Sequence, residues 1–171
     1  MSLSSPFTAQ DLLESWPRED FEEPGFTLTL IGLGMTEERE PWRNHSINVW
    51  HFDTECIEDE GSYVRIAERM AEMTQGALVI ENVRDQVDLE EGSANLDFEH
   101  SGKHVQIDLK VNDDWVDPAV FSLFVRMLAI SDPSKIFLYH DMQGQDCVIA
   151  CVTRDQFMAL KTAGVNFEPL K

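Results

Sequence analysis

Five histidines, three cysteines and 32 acidic residues are the groups in this 171-residue chain with chemistry to offer. His51, Asp53 and Cys56 lie close together, with His45 just before them, and His51 and Asp53 share one face if the strand through them runs on. A zinc site needs three or four ligands with a tight pair such as Cys-x-x-Cys or His-Glu-x-x-His, and neither pair occurs. In Asn112-Asp113-Asp114-Trp115-Val116-Asp117, three carboxylates and an aromatic gather before a predicted helix. Such a group holds Mg²⁺ or Ca²⁺, or meets a cationic partner. The simpler expectation is that Asp117 caps the helix, Trp115 lies as a lid on the core, and Asp113 and Asp114 are solvated. Asp113 and Asp114 are adjacent, without the glycine-punctuated alternation of a calcium loop.

Other chemistries find no footing. Gly32-Leu33-Gly34 has the first two glycines of a dinucleotide-binding turn, but Glu37 stands at the third position, with Glu38 and Glu40 beside it to repel phosphate. Cys147 and Cys151 flank Ile149 in an apolar strand and read as small core residues. His100 and His104 fall at a hairpin tip. No nucleophile elbow, phosphate-binding loop or kinase motif is present. The chain points away from an enzyme and implies no cofactor. The enzymatic alternative is a metal-assisted hydrolase using Asp113 and Asp114, or His51 with Asp53.

What dominates is charge. The net formal charge is −19, and residues 1–60 alone hold 14 Asp and Glu against 3 Arg. Five acids and no base fall within Asp53-Thr54-Glu55-Cys56-Ile57-Glu58-Asp59-Glu60. A field of this sign repels nucleic acid and anionic membrane and attracts basic proteins. A run of acids is usually a solvated face, yet confining it in a compact state costs self-repulsion, which favours a docking surface. No apolar run approaches the roughly 20 residues of a membrane span. The N-terminus has no signal-peptide pattern and the cysteine count is odd, so the expected location is the cytoplasm.

The elements that must position these groups follow from periodicity. A short helix is predicted from Thr8 through Trp16, then an acidic linker over 18–25. Strands are predicted at 26–33, 47–52 and 77–83. Tyr63, Ile66, Ala67, Met70 and Ala71 form one helix face closed by Gly76, and Asp85 to Gly92 reads as an acidic loop. Segments 95–100 and 103–110 flank Ser101-Gly102, a two-residue hairpin turn. Pairing His100 with Lys103 sets Phe98, Leu96 and Ala94 opposite Val105, Ile107 and Leu109, with polar residues behind.

Asp117-Pro118 opens a helix to Ile130 that is apolar nearly all round, as a largely buried helix would be. Strands 135–140 and 147–152, a capping box at Thr153–Gln156, a last helix and a short edge strand over 165–170 complete the chain. The sum is an α+β fold, mainly antiparallel sheet built from hairpins with about four helices. It is expected as a single domain over 1–171, with residues 1–60 a candidate acidic subdomain.

In size, charge and mixed pattern the chain resembles the small acidic immunity proteins of bacterial toxin systems. That resemblance implies inhibition of a basic, nuclease-like toxin by carboxylates placed where phosphates would sit. Glu55, Glu58, Asp59 and Glu60, then Asp113 and Asp114, are the expected partner-binding residues. A third expectation is a homo-oligomeric structural subunit joined through helix 118–130.

Overall fold

A computed structural model describes residues 31–37, 43–162 and 164–171. The predicted helix at 8–16, the linker at 18–25, the strand start at 26–30, and Glu38 and Glu40 lie outside these residues. A helical turn at 31–34 leads into β1 (Thr36–Glu37) and β2 (Arg43–Asn44). Then come β3 (Val49–Asp53), α1 (Ser62–Met73), β4 (Ile80–Asp88), β5 (Ser93–His100) and β6 (Lys103–Lys110). The chain continues through α2 (Ala119–Ser131), β7 (Lys135–Asp141), β8 (Asp146–Thr153), α3 (Arg154–Thr162) and β9 (Glu168–Pro169). The fold is α+β with antiparallel hairpins. The chain divides into two compact units, one formed by residues up to Phe52 together with 134–170, the other by Asp53–Pro133.

In the first unit the strand order is β3-β8-β7-β9. The continuous apolar run of β8 occupies the interior place predicted for it, and all six residues from Cys147 to Val152 are buried. The 165–170 segment returns to the rim, where β9 pairs antiparallel with β7. The capping box forms as expected: the Thr153 N–H donates to Gln156 Oε1 at 2.9 Å and the Gln156 N–H to Thr153 Oγ1 at 3.2 Å. The 31–34 segment is helical where a strand was expected. A Cβ at Gly34 would lie 2.1 Å from the His51 backbone nitrogen, so glycine is what lets this turn close against β3.

The second unit is built on the sheet β4-β5-β6. The β5/β6 register is the predicted one, with Phe98↔Val105, Leu96↔Ile107 and Ala94↔Leu109. Ser101 and Gly102 both take positive φ, 52° and 71°, as a two-residue turn matched to strand twist requires. β4 reaches Asp88, through much of the segment expected to be an acidic loop, because Arg84 to Asp88 pair with Asp97 to Ser93 of β5. The predicted face of α1 is buried, and α1 packs on β4 and α2. Phe124 of α2 stacks on Phe98 with ring centroids 5.8 Å apart.

Helix α2 is covered along one stripe rather than most of the way round. Val120, Phe121, Phe124 and Leu128 are buried, while Leu123, Val125 and Met127 are half-buried and Ile130 is 84% exposed. Ser122 and Arg126, four residues apart, mark the outward side, but so narrow a polar stripe does not say how much of the apolar surface beside it is covered. No helix among the described residues is long and apolar enough to cross a membrane.

Candidate functional site

The expected partner-binding residues sit on two loops of the second unit, 53–60 and 112–116. Backbone pairing holds these loops together. The Ile57 N–H donates to Asp114 O and the Val116 N–H to Thr54 O, both at 2.9 Å, and Glu55 bridges Trp115. Ile57 is fully buried beneath them. Each loop is also shaped locally. The Asp53 carboxylate accepts the Glu55 N–H at 2.9 Å, and Trp115 N–H closes on Asn112 O at 3.2 Å. Ser62 Oγ, at the start of α1, accepts the N–H groups of Glu58 and Asp59.

The result is one acidic cluster assembled from residues some sixty positions apart. Glu55 shows it electrostatically. Its carboxyl is pushed above the ordinary value, first by loss of hydration, then by the negative charges of Asp114, Asp53 and Asp113. Glu58, Asp59 and Glu60 continue the loop as exposed groups. Arg65 stands 3.9 Å from Asp59 with both side chains largely in water, a pairing worth about 0–1 kcal/mol. Asp53, the first acid of the 53–60 run, belongs to the cluster.

Because its pKa is higher folded than unfolded, Glu55 costs stability once ionised. That cost is absent in acid and develops as pH rises from the ordinary carboxylate value through the raised one. A docked cation would relieve it.

Trp115 is 40% exposed at the cluster's edge. Asp117 does cap α2: its carboxylate accepts the Ala119 N–H at 2.9 Å and the Lys110 N–H at 2.8 Å, and its own N–H donates to Tyr63 Oη at 3.0 Å. Asp113 sits at φ 62°, in the left-handed region. Asp113→Gly should therefore be more stable than Asp113→Ala by about 1 kcal/mol, read from urea midpoints. Equal midpoints would show that the turn relaxes without strain.

In the metal-assisted alternative, His51 and Asp53 each have a partner elsewhere. His51 Nε2 lies 3.5 Å from Asp146, and the Asp53 carboxylate turns to the Glu55 backbone. Among the described residues, no group of three or more His, Cys, Asp and Glu could hold a metal ion. His45, His100 and His140 each place Nδ1 within 2.8 Å of a backbone carbonyl, those of Gly32, Val79 and Asn166. The Cys56 thiol is pushed up to about 12 by burial and by Asp53, which keeps it protonated. No family model, curated protein or solved structure matches this chain.

Proposed function

We propose that the chain is a protein-binding module that docks a basic partner on the cluster of Asp53, Glu55, Asp113 and Asp114, flanked by Glu58, Asp59 and Glu60. The observation that carries this reading is the pairing of 53–57 with 112–116. It concentrates like charges that an unconstrained chain would separate, and that cost is recovered only when opposite charge arrives. Inhibition of a nuclease-like toxin is the specific form we favour, since carboxylates on a rigid loop pair mimic a phosphate run. All three cysteines are free, in keeping with a reducing cytoplasm.

The test compares two triple variants of equal net charge. Glu55→Gln with Asp113→Asn and Asp114→Asn should weaken capture of a basic protein from host lysate on the order of 100-fold, since close charge pairs couple by about 1.5 kcal/mol or more. Neutralising the exposed Glu81, Glu90 and Glu91 instead should leave it nearly unchanged. Association with the unmodified chain should also slow steeply with salt. Equal losses in the two variants would assign the effect to total charge and refute a localised site.

A further inference from the structure

The sheet of the second unit ends on β6, and the two rims of that sheet differ. β4 is broken by a bulge between Glu81 and Arg84, with Asn82 at φ 54°. β6 runs straight, paired with β5 residue by residue over all eight positions. We infer that a second copy of this chain docks on the open edge of β6, antiparallel, about a two-fold axis at Gln106.

Backbone parity comes first. The Val111 N–H donates back to Gly92 O, on the β5 side, whereas the Lys110 N–H donates outward to the Asp117 carboxylate at 2.8 Å. Inward and outward residues alternate along an antiparallel strand. Odd positions therefore bond to β5, and His104, Gln106 and Asp108 present their N–H and C=O groups outward. Among the described residues those outward groups meet no hydrogen-bond partner. Asp117 closes the edge at Lys110, so three positions are open.

Charge then selects the register. Outward positions must pair with outward positions. An axis at Gln106 uses all three, setting Gln106 opposite itself and His104 opposite Asp108 twice. An axis at Asp108 opposes two like carboxylates and needs the Lys110 N–H already held by Asp117. An axis at Ile107 sets His104 against Lys110. An axis at Val105 leaves Asp108 opposite the turn glycine. An axis at His104 opposes two histidines and leaves Gln106 opposite the turn glycine, so the Gln106 axis alone is free of conflict, and it also places Val105 opposite Ile107 twice on the inner face, where both are half-buried. The joined sheets would run to six strands with each face keeping its character. The inference rests on the backbone and charge pattern of β6 and does not depend on the proposed function.

Sedimentation of the full chain tests it. A reversible dimer is expected, strengthened by added salt because each copy carries −19, the opposite sign to docking of a basic partner. His104→Asp alone and Asp108→Lys alone should each weaken dimerisation about tenfold, and the two together should restore it. Gln106→Pro removes an outward N–H and leaves the β5 ladder complete, so it should abolish the dimer without breaking the hairpin. In a Cys56→Ser background, Gln106→Cys should cross-link on oxidation, because directly paired Cα atoms lie about 5.5 Å apart. A monomer at every concentration and salt overturns the inference. So does a dimer indifferent to Gln106→Pro in a variant that melts like the parent, or a charge swap that fails to restore association.

Discussion

Replacing Phe124 by alanine is expected to remove about 3–5 kcal/mol of folding stability, a large part of what a domain of this size has to lose. Phe124 is wholly buried and stacks on Phe98 of β5, itself wholly buried. Truncation removes the ring's transfer energy and its stacking, and leaves a cavity between helix and sheet that rigid neighbours cannot fill. Ile130→Ala is the matched control. It lies on the same helix at 84% exposure and should stay within about 0.5 kcal/mol of the parent. Urea midpoints of the two variants measure the difference. Similar losses from both would mean that the inward stripe of α2 has been misassigned.

The second large effect is expected at Asp85. Its carboxylate accepts the Gly61 N–H at 2.6 Å, the Tyr63 N–H at 2.8 Å and the Val64 N–H at 3.2 Å. Helix α1 starts at Gly61 with no side-chain cap of its own and no acid in its first turn. A residue of β4 thus supplies both the cap and the negative charge that the positive end of the helix dipole favours. Asp85→Ala leaves three donors without their acceptor and should cost about 2–3 kcal/mol. Asp85→Asn, which keeps one acceptor oxygen but no charge, should cost about half as much.

Hydrogen exchange gives a local readout of the same loss. Amides of 61–64 should lose protection first, since the cap is theirs. The 53–60 loop runs straight into this helix start, where Ser62 holds the Glu58 and Asp59 amides, so fraying here should also loosen the candidate site. Unchanged exchange at 61–64 in Asp85→Ala would show that water replaces the carboxylate without penalty.

Residues 93–110 and 153–156 were legible in the sequence because their interactions close within a few residues. A two-residue turn leaves the hairpin one register that puts every apolar side chain on one face. Thr153 and Gln156 satisfy each other's backbone groups three residues apart, and Asp117 caps the helix it immediately precedes. Charge was legible in amount but not in arrangement. Nothing near Glu55 in the chain points to Asp114, and the backbone bonds that join them appear only once the β-hairpin and α2 have brought residues 112–116 beside 53–57.

Asp85 shows the same limit. Its partners lie 21 to 24 residues earlier, so among neighbouring acids it looked like one more solvated loop residue. Helix α2 supplies the complementary case, since its narrow Ser122–Arg126 stripe marks one outward line and leaves the extent of burial of the remaining apolar surface to packing. Contacts that close locally are written in spacing, and those that close across the fold are decided by which surfaces bury the most together. For this protein the first kind determined hairpins, caps and overall charge. The second determined where that charge gathers and which strand edge stays open.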